Sequence, residues 1–207
     1  MQHDTLDFII QATNNITVLW EKRVGSTAPQ SVVNKIDSAM LNWMRDLTNT
    51  LRLWSDKGSF MTDGELILAR ANLGAVVESW LKFFYCVYNE DYQKSPILNK
   101  EMDVIEPENL SFERLKQYSK DILYNKNDSI EIWLDSVQKK RNAIHSFNNR
   151  NIGTANDFYD DLETLYDFIN QIEIRLPALE GYNDDASFTI GYQVPYLPFD
   201  RKAIIRV

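Results

Sequence analysis

The run ANLGAVVESWLKFFYCVY, residues 71–88, decides the fold. Its apolar side chains fill most of the helical circumference rather than one stripe, which marks a helix surrounded by neighbours. Thr62 followed by Glu65 has the capping-box pattern, so this helix should start after Thr62 and reach about Tyr92. A helix apolar all round needs other helices to cover it, and amphipathic stripes on both sides supply five. Leu6, Ile9, Ile10, Thr13, Ile16 and Trp20 trace one face over residues 4–23. Val32, Val33, Ile36, Met40, Trp43, Met44, Leu47, Leu51 and Trp54 do so over 29–57. Ser111 can cap a short helix to about Tyr124, and Thr154 with Asp157 can cap a final one carrying Phe158, Leu162, Leu165, Ile169, Ile172 and Leu176 before Pro177. The fifth covers residues 128–147, and residues 93–109, with Pro96, Pro107 and several acids, read as a surface loop.

The fold expected is all-α, an up-and-down helical bundle formed as a single domain by residues 1–178. Residues 179–207 are expected to be a short non-helical tail, a C-terminal arm or hairpin packed on the bundle or on a second subunit. It carries FTIGYQVPYLPF and AIIRV. Its aromatic residues Tyr182, Phe188, Tyr192, Tyr196 and Phe199 lack interleaved basic partners, so packing is favoured over base stacking.

Composition narrows the function classes. The 207 residues carry 22 basic and 30 acidic side chains, a formal charge of −8, which argues against a general polyanion binder while leaving room for a local basic site. The single Cys86 excludes an internal disulfide. With only His3 and His145 there is no His/Cys metal set, so neither metal nor cofactor is expected, and His3 lies near a terminus where solvation is the default. The N-terminal stretch around Phe8 to Ile10 is too short and interrupted for a signal peptide or membrane span, so a cytoplasmic protein without membrane association is expected. No phosphate-binding Gly loop or nucleophile elbow occurs.

The stretch KKRNAIHSF holds the residues that call for chemistry. On a helix over residues 128–147, Ile130, Trp133, Leu134, Val137 and Ile144 form one stripe. Arg141 falls near its middle, and His145, one turn on, falls on its shoulder. Arg does not deprotonate to escape burial, so it has to be paired, to sit at an interface, or to line a wet pocket. Arg70 and Glu78 pose the same question on the central helix. The bland reading pairs them with each other as a buried or interfacial ion pair, and the functional one has them support the cleft that holds His145.

Arg141, Asn142 and His145 resemble the signature of the HEPN superfamily, an Arg, commonly followed by Asn, then His after four to six intervening residues on a late helix. Here three residues separate Arg141 from His145, and counting from Lys140 gives four. The resemblance implies a HEPN-like bundle and a metal-independent RNA endonuclease of a toxin–antitoxin or defence-type system. It implies a homodimer in which two copies of the motif face one cleft, with single-stranded or structured RNA as substrate. In that reading His145 exchanges protons, Arg141 holds the scissile phosphate, and Asn142 orients the helix or a phosphate. The rival expectation is a catalytically inactive HEPN-like interaction module, which pairs with a nucleotidyltransferase-like antitoxin or another protein partner.

Overall fold

The computed structural model describes residues 2–145 and 149–177 of the chain. Among these, eight α-helices and three short 3-10 turns account for the regular structure, and the only β-type pairings are isolated bridges, Leu98 with Val104 and Lys120 with Tyr124. The all-α bundle is therefore present. The helices are α1 (Gln2–Thr27), α2 (Gln30–Ser38), α3 (Leu41–Ser55), α4 (Asp63–Val87), α5 (Asn89–Lys94), α6 (Phe112–Ser119), α7 (Ser129–Arg141) and α8 (Ala155–Glu173). The tail beyond residue 177 and the side chain of His3 lie outside the described residues.

Helix α4 is the axis of the bundle. It packs against α2, α3, α6, α7 and α8, while α1 closes the far side by lying on α3 and α8. Leu73, Val77, Trp80, Leu81 and Phe84 on α4 are almost wholly buried, together with Leu6 and Ile9 of α1, Leu134 of α7 and Leu165 and Ile169 of α8. Each such side chain contributes about 1.5–3 kcal/mol relative to exposure, which makes α4 the element the others condense upon.

The capping box read at Thr62 and the cap read at Thr154 are both formed, the second also as a capping box. Thr62 accepts from the Glu65 N–H and the Glu65 carboxylate accepts from the Thr62 N–H at 2.9 Å, and Thr154 and Asp157 repeat the arrangement at the start of α8. Ser111 caps α6 as expected.

Four expected helices end early or split, among them the one capped by Ser111, which stops at Ser119 rather than about Tyr124. The segment 29–57 breaks at Ala39–Met40, where Ala39 turns extended and the Ser38 hydroxyl donates to the Lys35 carbonyl. A continuous stripe would have put Met40 and Trp43 in the core; after the break Leu41 enters it beside the expected Met44, and Trp43 is 62 % exposed. The central helix stops at Val87 because Tyr88 adopts φ −94°, ψ 32°, a kink that lets Tyr88 and Tyr92 both turn inward. Residues 93–109 are correspondingly less superficial than expected, since Ile97 and Pro107 are buried and the Ile97 N–H donates to the Tyr92 hydroxyl at 3.2 Å.

The change that matters for function is in α7, which ends at Arg141 and continues as a 3-10 turn over Asn142–His145. Of the expected stripe, Ile130, Trp133, Leu134 and Val137 are buried. Ile144 is exposed and Ala143 takes its place inside, as the tighter winding requires.

Salt and pH probe the α4 start. The Lys57 ammonium, 2.6 Å from Glu65, and the Thr62 N–H hold the Glu65 carboxyl down at about 2, below its ordinary 4.5. A depressed folded-state pKa contributes stability above the unfolded value that is lost as pH falls toward the folded one. Urea midpoints of the natural chain should therefore drop between pH 4.5 and 2. Glu65→Gln should flatten that part of the profile, and an unchanged profile would count against the cap.

Candidate functional site around the end of α7

Two charged clusters clamp the last turn of α7, one on each side. The first is centred on Asp161, an acid within the buried face of α8. Its Oδ1 accepts from the Trp133 indole N–H at 3.0 Å, and its Oδ2 accepts from Lys140 Nζ at 2.9 Å and from Arg70 Nη1. Arg70 itself is 1 % exposed. Its Nε donates to the Ile152 carbonyl at 3.1 Å, Nη2 donates to the Thr154 carbonyl at 3.3 Å, and the guanidinium lies over the Phe158 ring at 5.5 Å. Burial pulls the Arg70 pKa below its ordinary value while the Asp161 carboxylate pulls it back up. The guanidinium stays charged, and every one of its nitrogens has an acceptor, which is what makes such burial tolerable.

Backbone shape enables this. Gly153 sits at φ +71° in the segment that returns from α7 to α8, and a Cβ there would lie 2.8 Å from Asp157 Oδ2 and 3.2 Å from Arg70 Nη2. Glycine lets the 152–154 carbonyls wrap the guanidinium while Asp157 stays on the cap.

The second cluster holds Arg141. Its aliphatic stem lies against the backbone of α4 at Gly74, where an added Cβ would come within 2.6 Å of Arg141 Cδ and 2.8 Å of its Cβ. Its guanidinium stands 5.7 Å from the Phe112 ring centroid, and Nη1 lies 2.7 Å from Glu78 Oε2, an ionic contact rather than an aligned hydrogen bond. Glu78 Oε1 binds Lys82 at 2.9 Å. Arg141 keeps 32 % of its side chain exposed.

The expected Arg70–Glu78 pair therefore does not form. Each is committed to a different partner, Arg70 to Asp161 and Glu78 to Arg141 and Lys82. Glu78 does touch the motif arginine, whereas Arg70 supports α7 only through Asp161 and Lys140. Asn142 is the C-cap of α7, and its N–H donates to the Gln138 carbonyl. His145 is exposed and makes no hydrogen bond or ion pair among the described residues. Continuous α-helix would leave Arg141 and His145 about 40° apart around the axis, and the 3-10 turn opens this to about 120°.

Asp161 and Gly74 were not singled out by the sequence. Two signals were there to read: an acid between Phe158 and Leu162 on the α8 stripe, and a glycine inside a helix, where it costs about 1 kcal/mol relative to Ala unless a neighbour comes close. Buried Cys86 offers no competing nucleophile, since burial pushes its thiol up to about 12. Among the described residues no three His, Cys, Asp or Glu side chains group to hold a metal ion, and no helix is long and apolar enough to cross a membrane. Comparison with models of protein families, with curated proteins and with solved structures gives no match to this chain.

Two substitutions test the clamp. Asp161→Asn should lower the unfolding free energy by about 3–5 kcal/mol in urea titrations, because it leaves Arg70 buried without its counter-charge. Gly74→Ala should destabilise by up to about 2 kcal/mol, the overpacking cost of about 1–3 kcal/mol less the gain of about 1 kcal/mol in helix propensity. A stabilised Gly74→Ala chain would refute the close approach of α7 to α4.

Proposed function

We propose that this chain is a HEPN-like bundle that cuts RNA without a metal at the Arg141–His145 corner, as a homodimer whose two corners share one cleft, in a toxin–antitoxin or defence-type system. The observation that supports this is the pairing of a held arginine with an unengaged histidine. Arg141 is fixed by Gly74, Phe112 and Glu78 yet is one-third exposed, and His145 follows it on the surface with no hydrogen bond or ion pair among the described residues. In the reaction the RNA 2′-hydroxyl oxygen bonds to the adjacent phosphorus and the bond to the 5′ oxygen breaks. The hydroxyl proton leaves to a base and the departing oxygen takes one from an acid. A histidine side chain can make either exchange, and one on each subunit of a dimer provides for both. Arg141 neutralises the phosphate as its charge grows, and Asn142, at the helix end, orients that turn.

The 3-10 turn favours a second reading, a catalytically inactive module that pairs with a nucleotidyltransferase-like or other protein. It swings His145 away from Arg141, and Glu78 already neutralises the guanidinium within the chain.

Cleavage assays on purified protein separate the two. For a ribonuclease, His145→Ala should lower the cleavage rate by about 10²–10⁴-fold with the fold intact by circular dichroism. Arg141→Lys should be severely impaired, since an ammonium does not reproduce bidentate phosphate binding. Cleavage should survive EDTA. If no RNA is cut and loss of Arg141 or His145 instead dissociates the dimer or a protein partner, the module reading stands.

A further inference from the structure

The outer face of α7 carries a groove of ≈ 550 Å³, lined by Ile132, Asp135, Ser136, Lys139 and Lys140 of the helix and by Arg150 and Asn151 of the returning segment. The five helical residues follow the spacing of one face and span about 12 Å. This face is distinct from the one that carries Arg141 toward Gly74, although both end at the same turn of the helix.

The charges in this groove are unlike those of the chain as a whole. The protein carries −8, and most of its described cations have a carboxylate within reach: Lys35, Arg45, Arg52, Lys57, Arg70, Lys82, Lys94, Lys116, Lys120, Lys140 and Arg141 are all paired. Lys139 and Arg150 are both exposed, and neither has an ion pair or hydrogen bond among the described residues. The one acid in the groove, Asp135, is paired with Lys116, a cation that Glu113 also binds. Lys140 forms part of the wall with its ammonium held by Asp161, a carboxylate that Arg70 also binds. Asn151 uses its side-chain oxygen to accept from the Gly153 N–H at 2.9 Å, which leaves its NH₂ as a donor. Ser136 adds a hydroxyl, and Ile132, 64 % exposed, forms an apolar end.

Two uncommitted cations, an acid held by Lys116, two neutral donors and an apolar end describe a site for a phosphodiester strand, with charge for the phosphates and an apolar surface for a base. We propose that the Lys139–Arg150 groove is the track that holds the single-stranded RNA leading to the Arg141–His145 corner. The inference rests on the ribonuclease reading for the path of the strand. Sequence-independent backbone contact is all the groove supplies.

The test uses full-length His145→Ala protein, so that RNA is not consumed, and a fluorescein-labelled 15-residue oligouridine read by anisotropy. Adding Lys139→Ala and Arg150→Ala together should weaken binding at least 10-fold and lower the slope of log affinity against log salt by about 1.4, two phosphate contacts at about 0.7 each. Both side chains are exposed, so circular dichroism and Tm should be unchanged. Lys140 is left alone because it belongs to the Asp161 cluster. Absence of RNA binding, or unchanged affinity and slope in the double variant, would overturn the proposal, as would a poly-glutamate peptide that binds the groove more tightly than RNA. Cleavage by the chain with His145 present separates this inference from the function it rests on. If cleavage depends on His145 but not on Lys139 and Arg150, the track alone is wrong; if RNA binds through the groove and no cleavage occurs, the groove stands and the nuclease reading falls.

Discussion

One carboxylate holds the α4, α7 and α8 end of this bundle together. Asp161 of α8 receives Arg70 of α4, Lys140 of α7 and the Trp133 indole, and Arg70 in turn binds the carbonyls of Ile152 and Thr154. Three helices and the segment that joins two of them are therefore fixed by a single buried charge cluster. Its net charge of +1, from two cations and one anion, is kept bearable by carbonyl dipoles and the Phe158 face. Hydrophobic burial alone would place α7 beside α4 and α8, but it is non-directional. The hydrogen-bonded cluster sets where along α8 the helix comes to rest.

Lys140 and Arg141 are consecutive and face opposite flanks. One is drawn toward α8, and the other lies in the notch that Gly74 leaves in α4. The end of α7 is thus gripped from both sides, and the chain beyond it tightens into the 3-10 turn that carries His145 to the surface. The rigid part of the candidate site is the arginine and the exposed part is the histidine. That division of roles suits a site completed by something outside the chain.

Much of the fold was legible because it rests on periodicity. The all-round apolar run of α4, the caps at Thr62, Ser111 and Thr154, and the stripes of α1 and α8 all follow from the sequence. The breaks at Ala39–Met40 and Tyr88 were not legible. Neither Gly nor Pro marks them, and they arise because tertiary packing of Leu41, Met44, Tyr88 and Tyr92 outweighs continuation of a helix. The site was read in its parts but not in its pairing. Arg70, Glu78 and Arg141 stood out as charges on apolar stripes, but nothing in one sequence says which acid meets which base across 91 or 63 residues of chain. The shift from Ile144 to Ala143 as the inward residue was likewise hidden, since an α-helix and a 3-10 turn differ by only about 20° per residue.

The position of α8 in the sequence has a consequence for how the protein is born. Thr5 meets Glu163, Ser55 meets Tyr159, and Tyr88 meets the Arg175 carbonyl, so α8 and the turn after it close contacts with segments made long before them. While a ribosome is still adding residues, the faces of α1 and α4 that α8 will cover are bare, and Arg70 has no counter-ion. Those faces, and the Arg70 charge, therefore wait uncovered until α8 has been made, so the contacts of highest sequence separation close after the local ones.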